Sequence, residues 1–294
     1  MSLTIAITGA TGFLGSRLVK AFLHGGHNVI ILKRSFSRTT RVDSIISECS
    51  VYDLDRCDFR QIFKDFNKVN VIIHTATCYG RNQESISEIF DSNVAFPLKL
   101  LEAGGTKIDT FFNTDTTLSE SLNFYALSKK HFLDWGKQFS RYNKLKFVNL
   151  KLEHFFGEED DPSKFVTHVI RSCLQNVKQL DLTMGEQERD FVHIDDVVSI
   201  YQFLLEKALS LPSNYQEYPV GSGKVIIVRE LVELIHHLTA SHTQLNFGAI
   251  PYRENEVMFS QANLKPLNEL GFIPKSSLED SLRKTINFEK SLNL

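Results

Sequence analysis

Tyr125 and Lys129 stand four residues apart in YALSK, and Gly9, Gly12 and Gly15 punctuate TGATGFLG near the start of the chain. On a helix, a spacing of four puts two side chains on one face. A lysine ammonium placed there favours the tyrosinate and can also hydrogen-bond a cofactor ribose. A free phenol, with a pKa of about 10, is a poor acid–base group at neutral pH. Beside a lysine and an oxidised nicotinamide it becomes a usable one. YxxxK by itself is common on helices as a solvated pair. Its place just after FFNT, which reads as a strand ending at Thr114 in the middle of the chain, sets this one apart.

The glycines have the context that a dinucleotide requires. LTIAI before them reads as a short buried strand, and Phe13 to Phe22 reads as a helix with one apolar face. Gly9 permits the tight turn, Gly12 removes a side chain where backbone must approach a pyrophosphate, and Gly15 lets the helix pack closely on the strand. The diphosphate then rests on a helix N-terminus. The plainer alternative is a strand-to-helix turn with no ligand.

Strand signals near 3–8, 28–33, 70–75, 109–114 and 146–152 alternate with helices. Such alternation predicts an α/β fold, a doubly wound parallel sheet covered on both faces. The second half is less regular, with helical stretches near 162–176, 195–208, 227–239 and 278–290 between short strands. The expected organisation is a Rossmann domain over residues 1–152 and a smaller mixed lobe over 153–294, with some segments of the latter returning to the sheet.

Composition narrows the class. A chain of 294 residues, 42% hydrophobic, is long enough for one large core and a smaller lobe. A net charge of -2 gives no reason to expect nucleic acid. No segment approaches the roughly 20 apolar residues of a membrane span, and the start shows no secretory signal, so a cytoplasmic protein is expected. Cys49, Cys57, Cys78 and Cys173 are scattered without CxxC spacing, which suits reduced thiols. His236, His237 and His242 lack a further ligand at standard spacing, so no metal site is expected.

Cofactor choice is written at the end of the second strand. NAD enzymes place an acidic residue about 20 residues beyond the glycines, against the ribose 2'-hydroxyl. Here NVIIL runs into Lys33 and Arg34, with Arg38 and Arg41 following. Basic groups suit a 2'-phosphate, hence NADPH; the alternative is a solvated basic loop.

Taken together, these residues resemble the extended short-chain dehydrogenase/reductases that act on nucleotide sugars, the NAD-dependent epimerase/dehydratase family. The resemblance covers nearly the whole chain: TGATGFLG, VIIHTAT at 71–77, Asn93 in SNVAFPLKLLEA, the Thr114/Tyr125/Lys129 set, LKLEHFFG at 150–157, GEQERDFVHIDDVV at 185–198, YPVGSGK at 218–224, YRENEV at 252–257 and LGFIP at 270–274. Within the family, CYGR, KLEHFFG and KFVTHVIRSCL look most like bacterial CDP-paratose and CDP-abequose synthases, which reduce the 4-keto group of a CDP-linked 3,6-dideoxyhexose; their relatives act on dTDP-linked sugars.

The resemblance implies roles. Thr114, Tyr125 and Lys129 match the catalytic set, with Thr114 on the reacting sugar oxygen. Gly9, Thr11, Gly12, Phe13, Leu14, Gly15, Lys33, Arg34, Asp53, Leu54, Thr75, Ala76, Thr77 and Asn93 match cofactor-binding positions, Asp53 near the adenine. Tyr79, Arg81, Asp115, Thr116, Glu153, His154, Lys164, Arg189 and Arg253 match substrate positions, the two last arginines as a diphosphate clamp. An ion pair of Arg189 with Asp190 or Glu186 is the alternative. Resembling dehydratases follow the threonine with Asp and Glu as acid and base; this chain keeps Asp115 but has Thr116 in the Glu position. The stretch from Thr114 to Tyr125 is also shorter than the family usually has. The implied activity is NADPH-dependent reduction of the C4 ketone of a CDP- or dTDP-linked deoxysugar for surface polysaccharide. A redox-neutral epimerase or dehydratase with bound NAD and a noncatalytic dinucleotide-binding interaction protein stay open, and the resemblance allows a homodimer.

Overall fold

The computed structural model describes residues 2–143, 145–208 and 214–292. Strand β1 (Thr4–Thr8) passes through the glycine turn straight into α1 (Phe13–His24), which buries Leu14, Leu18, Val19 and Phe22, one face of an amphipathic helix. The chain continues through β2 (Asn28–Lys33), β3 (Ser50–Asp53), β4 (Val71–His74), β5 (Thr110–Thr116) and β6 (Lys146–Leu152). Between them lie α2 (Phe59–Asp65), α3 (Ile86–Phe90), α4 (Phe96–Gly104) and α5 (Phe124–Asn143). A π-turn, Asp91–Ala95, joins α3 to α4. After β7 (His154–Phe156), β8 (Gln179–Leu182) and β9 (Glu188–His193), the chain comes back in β10 (Tyr215–Val220).

The seven-stranded sheet has the order β10-β6-β5-β4-β1-β2-β3. β1 is parallel to β2 and β4, β2 to β3, and β4 to β5. This is a doubly wound Rossmann sheet, and its order reverses where β1 meets β4, the crevice in which such sheets bind ligands. Ile5, Ala6 and Ile7 have no exposed surface, as do Ile30 and Ile31, because a sheet covered on both faces buries successive residues of each strand. On one side Ala6, Ile30, Ile72, Phe111, Phe132 and Phe147 form a continuous core. β3 was not expected: its four residues are half-exposed at the sheet edge, so VYD carries little apolar signal.

By internal contacts the chain divides into two units: Met1–Lys151 with Ile200–Tyr218, and Leu152–Ser199 with Pro219–Leu294. The divisions fall within β6, β10 and a helix, α7 (Ile194–Lys207), which follows α6 (Phe165–Leu174). In the second unit β9 is central. β11 (Val225–Ile227) runs antiparallel to its first half, and β7 runs parallel to its second half. β12 (Gln244–Phe247) pairs separately with β8, and β13 (Phe259–Ser260) joins β9 in parallel. Helices α6, α8 (Val228–Thr239) and α10 (Leu278–Ser291) bury Val169, Ile170, Leu231, Ile235, Leu282 and Ile286 in one core, and α9 (Lys265–Glu269) is a single short turn.

Two buried charge clusters tie α10 into this unit. The Glu289 carboxylate, with no exposed surface, lies 2.6 Å from Arg171 Nε on α6. Glu158 lies 3.3 Å from His193 Nε2 and 3.0 Å from Lys284 Nζ. Among the described residues, no helix is long and apolar enough to cross a membrane, and no three His, Cys, Asp or Glu side chains are placed to hold a metal ion.

Candidate active site

The first unit places the glycine turn at the switch point of its sheet. Gly9 has φ +65°, and a Cβ on it would lie 2.6 Å from Ala76 N. A Cβ on Gly15 would collide with the Gly9 carbonyl oxygen. Gly12 caps α1 without any side-chain bond to the helix amides, at the positive end of the helix dipole. A turn too tightly packed for side chains at Gly9 and Gly15, leading into a helix with no side-chain cap, fits a dinucleotide diphosphate.

The loop after β4 is laced to β1. Thr75 Oγ1 donates to the Thr8 carbonyl at 2.7 Å, and Ala76 N donates to Thr8 Oγ1 at 3.3 Å. Thr8 Oγ1 also shares a 2.8 Å hydrogen bond with His74 Nδ1. His74 is fully buried among the rings of Phe96, Phe111 and Phe132, and burial holds its pKa well below the usual value, so it is neutral. Asn93 sits in the π-turn with both ends of its amide engaged: Oδ1 accepts from Cys78 N at 2.7 Å, while Nδ2 donates to the Cys78 carbonyl at 2.8 Å and to Ser128 Oγ at 2.9 Å. Its side chain thus joins the Thr75–Cys78 loop to the helix that carries Tyr125 and Lys129. π-turns of this kind recur at functional sites.

Asn123 starts that helix, its carboxamide oxygen accepting from Ala126 N at 2.9 Å. Tyr125 follows two residues later, where the positive end of the helix favours a phenolate. Its ring lies 5.0 Å from that of Tyr79, and the Arg81 guanidinium lies 4.9 Å over Tyr79. Burial pushes the Tyr125 phenol far above its ordinary range; a hydrogen bond with Thr116 and the charge of Arg81 pull the other way. Lys129 is buried, and burial lowers its pKa while the charge of Asp115 opposes that shift. Tyr79, Arg81, Thr116, Tyr125, Lys129 and Asp115, which sequence reasoning took from separate motifs, are therefore brought together here.

Asp115 is a buried carboxylate with settled partners. Oδ2 accepts from Asn149 Nδ2 at 2.9 Å and Oδ1 from Thr116 N at 2.8 Å. The same Asn149 amide donates to Glu217 at 3.0 Å, and its oxygen accepts from Asn113 at 2.8 Å. Thr114 Oγ1 makes a 2.6 Å hydrogen bond with the hydroxyl of Tyr201. Neither Asn149 nor Tyr201 was singled out from sequence, because each sits in an ordinary apolar strand or helix pattern. At the far edge of the sheet Lys33 pairs with Asp53 at 2.6 Å, and the exposed Arg34 lies over the Phe36 ring at 4.7 Å. Leu54 N donates to the Lys33 carbonyl.

In the second unit β9 gathers the remaining candidates. Arg189 is buried, and its partner is Glu256 at 3.0 Å rather than Asp190 or Glu186. Asp190 instead accepts from Ser222, Gly223 and Ala262. Arg253 is exposed, its carbonyl accepting from Glu256 N at 3.1 Å. Ser260, the register partner of Arg189, donates its hydroxyl to the buried Glu153 carboxylate at 2.7 Å. His154, the register partner of Phe191, lies against that ring and 3.8 Å from Glu153. Lys164 stands at the N-terminus of α6.

A Rossmann sheet with a glycine cradle at its switch point and a Tyr-x-x-x-Lys helix beside it defines a dinucleotide-binding α/β protein of the extended short-chain dehydrogenase/reductase type. Residues 5–221 match the model of the NAD dependent epimerase/dehydratase family, and the chain belongs to that family. It is 33% identical over 294 residues to the CDP-abequose synthase of Salmonella muenchen, covering 97% of this chain and 98% of that one. It is 34% identical to the CDP-abequose synthase of Salmonella typhimurium, covering 95% and 97%. Its fold superposes on the UDP-glucose 4-epimerase of Thermotoga maritima with a TM-score of 0.87 and 21% identity, covering 99% of this chain and all of that one.

Proposed function

We propose that this chain reduces the C4 ketone of a nucleotide-linked deoxysugar with NADPH, the substrate being a CDP-4-keto-3,6-dideoxyhexose or a dTDP-4-keto-6-deoxyhexose. The observation that carries the reading is the pair that follows Thr114. Thr116 stands where resembling dehydratases have a glutamate, and its hydroxyl bonds Tyr125. Asp115, the other half of an elimination pair, is buried with its carboxylate held by Asn149 and the Thr116 amide. Neither residue is set up to remove water from a sugar. The full-length likeness to CDP-abequose synthases supports the same chemistry.

Gly9, Gly12 and Gly15 would hold the cofactor diphosphate, Thr75–Thr77 its central part, Asp53 and Leu54 the adenine side, and Arg34 the 2'-phosphate, with Lys33 anchored by Asp53. When bound, the reduced nicotinamide supplies hydride for C4. Tyr125 donates its phenolic proton to the C4 oxygen as the ketone becomes an alcohol, so one NADPH and one proton are consumed per product. Burial works against loss of that proton, and Lys129 would offset it by stabilising the phenolate left behind. Thr114 holds the C4 oxygen. In the second unit Arg189, prepositioned by Glu256, and Arg253 take the diphosphate, while Glu153, His154 and Lys164 contact the rest of the nucleotide sugar; Tyr79 and Arg81 contact the sugar beside Tyr125.

We also propose a cytoplasmic homodimer. Ile86 and Phe90 on α3 and Phe124, Trp135 and Tyr142 on α5 are exposed, and a second copy would cover them; sizing that returns a monomer at micromolar concentration refutes it.

The test of function is transfer of deuterium from labelled NADPH. Label at C4 of the product, with stoichiometric NADP formation, is expected. A hydroxy sugar converted to its epimer or to a 4-keto product without added cofactor would mean a redox-neutral enzyme.

A further inference from the structure

Tyr201 has no exposed surface, lies on α7 and is 87 residues from Thr114 in sequence, yet its hydroxyl is 2.6 Å from Thr114 Oγ1. The Tyr201 ring packs on Phe112 with 6.1 Å between centroids. Phe112 and Thr114 are two apart on β5 and so share a face of the sheet; one side chain of α7 meets both. The ring fixes the height of the phenol and the threonine receives its polar tip.

A threonine hydroxyl carries one hydrogen and two acceptor lone pairs. A phenol is more acidic than an aliphatic alcohol and is the better donor of the two. With Tyr201 donating, one lone pair of Thr114 is filled and its own hydrogen is left for a third group. Building on the reading above that Thr114 holds the C4 oxygen, we propose that Tyr201 is a positioning residue: it donates to Thr114 and so commits the threonine proton to the reacting oxygen. Without the phenol the Thr114 hydroxyl is free to rotate, and the donor must be reoriented in each turnover. Preorganised donors owe their effect to avoiding that reorganisation.

Tyr201→Phe deletes one oxygen and keeps the ring on Phe112. Steady-state kinetics with NADPH and a CDP-4-keto-3,6-dideoxyhexose should show kcat lowered about tenfold, with KM for both ligands and Tm close to those of the unmodified enzyme. Thr114→Val should lower kcat roughly a hundredfold. The double variant should be no slower than Thr114→Val alone, because the tyrosine acts only through the threonine. Thr114→Ser, which keeps the hydroxyl, should retain activity and remain sensitive to Tyr201→Phe. Wild-type turnover by Tyr201→Phe, or losses that multiply in the double variant, overturn the proposal while leaving the role of Thr114 intact. A Phe variant that loses cofactor binding and Tm along with turnover overturns it too, since the oxygen then serves the fold. Full activity of Thr114→Val would instead remove the reading of Thr114 on which the proposal stands.

Discussion

Lys33 and Asp53 are register partners on the parallel strands β2 and β3, and their side chains close a 2.6 Å ion pair. The pair sits where the sheet would receive the adenosine end of a cofactor. It neutralises the carboxylate that would repel a 2'-phosphate and leaves the neighbouring Arg34 exposed. The NADPH preference proposed above would therefore rest on Arg34 more than on Lys33.

Arg34→Ala should lower kcat/KM for NADPH about tenfold, the worth of one charge-assisted hydrogen bond, and leave NADH unaffected. Lys33→Ala should do less. Equal use of NADPH and NADH by the unmodified enzyme rules the preference out.

Tyr125→Phe should reduce turnover by roughly 10² to 10⁴ with NADPH affinity kept. Lys129→Ala should impair both, because in the proposed mechanism the ammonium serves the phenol and the ribose. Comparison of kcat with a fluorescence titration of NADPH separates the two; near-normal turnover by the Phe variant would require another acid.

Gly15→Ala should abolish cofactor binding, since the new methyl meets the Gly9 carbonyl oxygen and the turn must open. Gly26, where an added Cβ meets nothing within 4 Å, is the contrasting position: its substitution by Ala strains only its own backbone, at φ +76°, and should leave NADPH binding unchanged in calorimetry.

Arg189→Ala should weaken binding of a nucleoside diphosphate about tenfold or more while NADPH binds as before. Glu256→Gln should weaken it less, by releasing the guanidinium from its 3.0 Å partner. Paired titrations decide; unchanged nucleotide affinity in Arg189→Ala makes the arginine a structural ion pair only.

Acid should undo the second unit through Glu158. Burial raises its carboxyl pKa, but the bonds with His193, the backbone and Lys284 outweigh this and bring it from 4.5 to about 2. A carboxylate depressed in the folded state stabilises above its unfolded pKa, and that contribution is lost as pH falls from 4.5 towards 2. Glu158→Gln should lower Tm at pH 7 by a few degrees and flatten its fall with pH across that window. A variant with the same acid profile as the unmodified protein would contradict the assignment.

The glycine turn, the strands on either side of it and the Tyr125–Lys129 helix were legible because each is a local pattern. β1 and α1 carry their periodicities in a dozen residues. What sequence could not show were partners fixed by topology. In sequence the adjacent Asp190 and Glu186 are the natural partners of Arg189, but its partner is 67 residues away on a turn beside β13. Asp190 was unavailable because it holds the backbone of Gly223 and Ala262. The Lys33–Asp53 pair is hidden in sequence because β3, which brings the two into register, carries little strand signal. Tyr201 reads as one more buried position on an amphipathic helix, and only its hydroxyl, which periodicity ignores, reaches the candidate site.

All three passages of the chain from one unit to the other occur within β6, α7 and β10, at 151–152, 199–200 and 218–219. No single cut releases either unit, and any excision breaks a hydrogen-bonded element. A gene encoding such a protein exchanges its second unit only by rejoining three junctions in register at once. Engineers who wish to exchange a whole unit face the same restriction.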